Sequence, residues 1–290
     1  MWHLGRVMQR HAQDLQPDVS GFLRHVHACR NAVLPGHRLP FVLGTAQVGW
    51  VVPEIAGALA RLPRVSAEPG AVRLDDPGTL PAIARALADR GVFRWRGEAF
   101  DVRADPDGPA LGQIDRGALP VFGIEAIGVH VNGLIERADG LHLWIARRAA
   151  DKALDPGKLD HIVAGGVPAG LTPEATLVKE AHEEAGIPDQ LARRSVHVGV
   201  IRYAMERPEG LRRDLLHCYD LALPPTFQPH PLDGEVQSFE LWPLARVLET
   251  VRSSDEFKFN VNLVLIDLAL RRGAISGDRA NRLHAALRRS

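Results

Sequence analysis

The run Thr172-Pro173-Glu174-Ala175-Thr176-Leu177-Val178-Lys179-Glu180-Ala181-His182-Glu183-Glu184-Ala185-Gly186 constrains this chain more than any other segment. Thr172 offers an N-cap oxygen, Pro173 falls at the first helical position, where a missing N–H costs nothing, and Gly186 suits a helix end. The spacing predicts a helix over 173–185, with Leu177, Val178, Ala181 and Ala185 as its apolar stripe. Glu180, Glu183 and Glu184 stand at i, i+3 and i+4 and so share one face. Like charges at that spacing weaken an isolated helix by about 0.2–0.5 kcal/mol per pair. A divalent cation offsets the repulsion, and an all-oxygen donor set suits hard ions such as Mg²⁺ or Mn²⁺. Such ions also bind diphosphate oxygens and polarise phosphorus for attack by water. The same pattern occurs on solvated helices, and a terminal Gly has a purely structural use. The chemical reading therefore rests on what precedes the helix: Gly165-Gly166, then Gly170, at loop-helix spacing.

Composition sets what else the chain can do. Its 290 residues suffice for one large or two ordinary domains, and two are expected. The 35 Lys and Arg balance the 35 Asp and Glu, so no global field steers the protein to nucleic acid or an anionic membrane. Recognition of an anion has to be local. Cys29 and Cys218 have neither metal-ligand spacing nor the number for a disulfide framework, which fits a reducing cytoplasm. Met1–Arg6 lacks the apolar core of an export signal. The apolar run 261–270 contains Asn262 and Asp267 and is far shorter than the ~20 residues of a membrane span, so it reads as a buried helix.

Along the first third, helical spacing over 19–32 and 53–62, an extended stretch at 47–52 and a helix over 80–90 predict an α+β unit. A strand pair is expected over 92–102, turning near Arg96-Gly97, and the turn formers of 104–109 read as a linker. The boundary is placed so that 1–117 is an N-terminal accessory domain and 118–290 the domain carrying the chemistry, with helices at its C-terminus. In the second domain, strands over 123–136 and 141–147 form a hairpin, and further strands follow near 196–203, 215–221 and 235–242.

With these residues in view, Gly165 to Ile187 resembles the Nudix box, a Gly-rich loop and helix ending in Arg-Glu-apolar-x-Glu-Glu-x-Gly-apolar. Leu171 stands where that box has its first Glu, and Lys179 replaces the Arg. Both departures are similar to one Nudix branch that carries an N-terminal accessory domain, resembling the Nudix part of thiamine-pyrophosphokinase fusion proteins. The likeness extends to Gly128–Gly133, Asp155–Asp160, Asp233–Val236 and Phe257–Asn260. The resemblance implies an α/β fold, a Nudix α/β/α sandwich with mixed sheet preceded by a smaller α+β domain. It also implies metal-dependent hydrolysis of thiamine diphosphate or its oxidised derivatives to a monophosphate and phosphate.

The expected site follows from both readings. Glu180, Glu183 and Glu184 are the metal ligands, holding one to three Mg²⁺ (or Mn²⁺). Glu184, Glu183 and Glu235 are the candidate catalytic carboxylates, with Asp233, Glu206 and Glu209 behind Glu235. Arg148, Lys152 and Lys158 are candidates for phosphate binding or, equally, for a solvated loop, and Asp160 for bracing that loop. Gly165, Gly166, Gly170, Lys179 and Gly186 shape the motif loop and helix, and Leu171 is expected to pack beneath the loop. His161 and His182 read as structural or exposed rather than as ligands. The partner is a small-molecule diphosphate, with oligomerisation left open. Two alternatives remain: a nucleoside diphosphate derivative such as ADP-ribose or a dinucleotide as substrate, and a Nudix-fold sensor that binds without turnover.

Overall fold

Alternating apolar residues from Glu125 to Arg137 and from Gly140 to Arg148 pair antiparallel in the computed structural model, with Arg137 opposite Gly140. The two residues left between them, Ala138 and Asp139, close the hairpin that organises the larger sheet. The structure describes residues 19–68 and 70–288. The Met1–Arg6 stretch, read as no export signal, lies outside the described residues.

The chain begins with α1 (Ser20–Ala28), β1 (Leu39–Leu43), β2 (Ala46–Val51), α2 (Pro53–Leu59), β3 (Val65–Glu68), β4 (Ala71–Leu74) and α3 (Leu80–Asp89). It continues with β5 (Ala99–Val102), β6 (Gly112–Asp115) and α4 (Leu119–Phe122). Strands in the order β2-β1-β4-β3 form a small sheet in which β1 and β4 are parallel. Its core, with Phe41, Leu59, Leu74, Leu87 and Phe122, takes in α2, α3 and α4. An α+β unit thus precedes the larger fold, as expected.

Two local expectations fail in this unit. Only Ala99–Val102 of the expected strand pair is extended, and its partner is β6, so residues 104–109 are a hairpin connection rather than a linker. The reason is a side chain. The buried Asp115 carboxylate accepts from the backbone N–H of Arg96, Gly97 and Gly117 at 2.7–3.2 Å, pinning the 94–97 segment without a ladder.

The second half comprises β7 (Glu125–Arg137), β8 (Gly140–Arg148), β9 (Leu159–Asp160), β10 (Val163–Gly166), α5 (Pro173–Ala185) and α6 (Asp189–Ala192). After these come β11 (Val196–Arg207), β12 (Gly210–Ala222), β13 (Val236–Pro243), α7 (Leu244–Ser253), α8 (Val261–Arg271) and α9 (Gly277–Arg288). The sheet runs β11-β12-β7-β8-β13, mixed because β7 and β12 are parallel. One edge of β7 serves two partners, β10 along Gly128–Val131 and β8 along Gly133–Arg137. On one face α5 and α6 bury Leu177, Ala181 and Ala192 with Val129, Val131, Trp144 and Tyr219. On the other, α7, α8 and α9 bury Val247, Leu265 and Leu283 with Ile145 and Leu216. This is the expected α/β/α sandwich with mixed sheet.

Helix α1 departs from sequence order. Phe22 and Val26 place it in the sandwich core against α7, α8 and α9 rather than in the α+β unit that follows it. Helix α8 is buried along its length, as its apolar run implied. Among the described residues no helix is long and apolar enough to cross a membrane.

Candidate active site

Helix α5 forms for the reasons its ends give. Thr172 Oγ1 accepts from the Ala175 N–H at 3.2 Å, and Gly186 takes φ +62° while its N–H and that of Ile187 close the last turn on His182 and Ala181. The apolar stripe of α5 lies on the sheet, which turns its acidic flank toward β10.

There the three box carboxylates share a flank but not an environment. Glu184 is buried, its Oε2 accepting from the Ala164 N–H of β10 at 2.9 Å. Glu180 lies across Gly165: a Cβ on that glycine would come within 2.7 Å of Glu180 Cγ and Cδ. Glu183 is the most exposed of the three. Lys179 donates to Glu183 at 2.6 Å and Glu180 at 3.2 Å, in the place where the box has Arg.

Burial, with the charges of Glu180, Asp160 and Glu235 adding to it, holds the Glu184 carboxyl well above the usual range. Burial also raises Glu180, against the pull of Lys179. A buried flank where carboxylates raise one another is short of positive charge.

Glu235, which leads into β13, reaches this flank from across the sheet. It shares the lining of a small recess with Glu184, Ala164, Asp160, His161 and Arg148. Lys152 pairs with Glu235 at 2.5 Å. Burial alone would raise the Glu235 carboxyl, but Lys152, then Arg116 and Arg148, outweigh it and hold it below the usual range. The backbone of this junction is tied by Ala149 N–H to Glu235 O at 2.9 Å.

The other cations are placed differently. Arg148 donates to Asp160 Oδ2 at 2.7 Å, to Asp155 O at 3.1 Å and to Leu154 O at 2.9 Å, so its guanidinium braces the 154–160 loop. The charge of Lys158 acts on His25 and Asp255, beside α1. Of the three expected phosphate contacts, Lys152 is the one that pairs directly with a catalytic candidate, while Arg148 lines the same recess with its donors turned to the loop. Glu209 pairs with Arg207 and Glu206 with Arg38, while Asp233 caps its own turn at Glu235 N–H.

Leu171 corrects a sequence expectation. It is 37% exposed rather than packed beneath the loop. Gly170, at φ +80°, and the bond from Leu171 N–H to Pro168 O make a turn that sends the side chain outward.

Sequence reasoning named Asp160 as a loop brace and His161 as structural or exposed, but did not bring them together with His130 and Lys258 behind the flank. Asp160 is buried between Arg148 and Lys258, whose Nζ is 3.5 Å away. His130 and His161 meet through their Nδ1 atoms at 2.9 Å, and burial holds both below the usual histidine range. The ligand atoms of His130, Asp160 and His161 lie within 4.8 Å of one another. Two cations already neutralise Asp160, so this cluster is a poorer cation site than the all-carboxylate flank. Lys258 lies within the Phe257–Asn260 similarity, which was its only signal.

The N-terminal unit also reaches the motif loop. Ala169 N–H donates to Ala99 O at 2.8 Å and Gly170 N–H to Asp101 Oδ2 at 3.1 Å. A Cβ on Gly166 would come within 2.5 Å of the Phe100 ring.

A family model described as NUDIX domain matches residues 127–260, and one described as a domain of unknown function (DUF4743) matches 21–126. Nudix hydrolase 24, chloroplastic, from Arabidopsis thaliana is 38% identical over 271 residues, covering 89% of this chain and 74% of that protein. Nudix hydrolase 20, chloroplastic, from the same plant is 35% identical over 278 residues, with the same two coverages. The solved structure of DR0079 from Deinococcus radiodurans is 20% identical, covers 58% of this chain and 97% of its own, and has a TM-score of 0.45. Since the identity to a named relative extends over nearly nine-tenths of the chain, and the NUDIX match takes in every box carboxylate, the chain belongs to the Nudix hydrolase family.

Proposed function

We propose that this chain is a Mg²⁺-dependent pyrophosphohydrolase that cleaves a diphosphate linkage at the Glu180, Glu183, Glu184 and Glu235 flank. The observation that carries the reading is the convergence of Glu235 on the buried Glu184. A hydrolase needs both a cation-binding surface and a group that takes a proton from water. The donor set fits a hard divalent ion, since it is all carboxylate and Glu184 is destabilised by its charged neighbours. Glu180, Glu183 and Glu184 would hold the ion. When bound, it supplies charge neutralisation for the diphosphate and lowers the pKa of the attacking water.

The chain's own groups supply the rest. Ala164 N–H fixes Glu184 Oε2, so the other oxygen is the one free to act. Lys152 sits where it can offset charge on a phosphoryl group, at the cost of its pair with Glu235. Water adds to phosphorus, the bridging P–O bond breaks, and the proton passes to a carboxylate, giving a monophosphate and inorganic phosphate.

For the substrate, the proposal is thiamine diphosphate or its oxidised derivatives. It rests on the sequence similarity at Gly128–Gly133, Asp155–Asp160, Asp233–Val236 and Phe257–Asn260. A panel of thiamine diphosphate, its oxidised form, ADP-ribose and NADH, incubated with Mg²⁺ and assayed by phosphate or monophosphate release, tests it. The oxidised thiamine compound is expected to have the highest kcat/KM. A tenfold preference needs only about 1.4 kcal/mol of differential transition-state stabilisation. Faster turnover of ADP-ribose would transfer the assignment to nucleoside diphosphate derivatives.

A further inference from the structure

Behind the Phe100 ring, the N-terminal unit brings a cationic side chain to the motif loop. Arg116 follows β6 directly, and its guanidinium carbon lies 3.7 Å from where a Cβ on Gly166 would stand. That carbon lies over the Phe100 ring at 5.6 Å, and Phe100 is itself buried against Gly166. One Nη donates to Glu98 at 2.8 Å, while the side chain as a whole is 48% exposed. It stands beside Gly166 of the motif loop, outside the lining of the Glu184–Glu235 recess, and its positive charge bears on both Glu235 and Lys258.

From this juxtaposition we propose that Arg116 is a substrate-positioning residue. It binds phosphoryl oxygens of the diphosphate at the mouth of the carboxylate flank, so the N-terminal unit completes the site. The inference rests on the proposed pyrophosphohydrolase reading. Physically, the flank has an excess of carboxylates, Arg148 is fully used by the 154–160 loop, and Lys158 is elsewhere. A planar guanidinium seated on a buried ring can donate to an oxyanion through a bidentate fork, and Glu98 competes for one of its N–H groups. The strand pair beside it is held to the loop through β5, where Ala169 N–H donates to Ala99 O and Gly170 N–H to Asp101 Oδ2, and β6 pairs with β5.

The test is calorimetric titration of the full chain with methylenediphosphonate in the presence of Mg²⁺, on wild type, Arg116→Gln and Glu98→Gln. Arg116→Gln keeps the side chain's reach over Phe100 and removes its charge. It is expected to bind the diphosphonate about tenfold more weakly, with a shallower salt dependence. Glu98→Gln frees the guanidinium and is expected to bind as tightly as wild type or more so. If Arg116→Gln binds within twofold of wild type, Arg116 makes no phosphoryl contact and this inference alone falls. If Glu98→Gln weakens binding as much as Arg116→Gln, the Arg116–Glu98 pair is structural and the inference also falls. Failure of the wild type to bind would overturn both this inference and the pyrophosphohydrolase reading.

Discussion

Gly165 shows how one residue shapes the site. The missing side chain is the space that Glu180 occupies, since a Cβ there would meet Glu180 Cγ and Cδ at 2.7 Å. Glu180 is a flexible side chain and can swing away, so Gly165→Ala is expected to keep the fold and displace a metal ligand. Perturbing the support of a ligand costs on the order of ten- to a hundredfold in metal affinity or activity. A Mg²⁺ titration of hydrolysis should therefore show a raised half-saturating concentration with an unfolding temperature close to wild type. Unchanged Mg²⁺ dependence would mean that Glu180 is no ligand. Lys179 illustrates a residue-scale substitution the structure accounts for: at i and i+4 it reaches Glu183, and it reaches Glu180 beside it. It keeps the charge that the box's Arg provides but not the planar fork.

At the scale of elements, what the sequence revealed was what local chemistry decides. The bounds of α5 were readable because a cap, a first-turn proline and a terminal glycine are all near-neighbour effects. The β7–β8 hairpin was readable for the same reason. The 92–98 segment was not, because its conformation is set by Asp115, about 18 residues away in sequence. The placement of α1 was hidden too, since an amphipathic helix does not say which core will receive its stripe. Among site residues, the i, i+3, i+4 carboxylates were legible, whereas their different burial depends on β10 passing beside Glu184. Arg148 and Lys158 looked alike in sequence, and only the loop carbonyls around Arg148 and the position of Lys158 beside α1 separate them. Arg116 had no motif signal, because its approach to Gly166 is a contact between two units.

For the molecule as a whole, the buried polar cluster behind the flank links stability to pH. Burial depresses both His130 and His161, His161 to about 4. The folded protein keeps them neutral while the unfolded chain takes up protons below about 6.5. Their contribution is therefore fully present above pH 6.5 and declines as pH falls from there toward 4. Urea unfolding at pH 7.5, 6.0 and 5.0 is expected to show this decline, and His161→Gln to flatten it. An unchanged slope in the variant would show that His161 is not what titrates.

The central claim, that the box helix carries diphosphate hydrolysis, is tested most directly by one comparison. Wild type and Glu184→Gln are assayed for phosphate release from the best diphosphate of the panel with and without Mg²⁺. Glu184 is buried with a raised pKa, so the amide replaces it at nearly constant shape and can still accept from Ala164 N–H. The wild type is expected to require the cation, and Glu184→Gln to lose about a hundredfold or more in kcat/KM while unfolding at or above the wild-type temperature. Hydrolysis undiminished in Glu184→Gln would contradict the assignment.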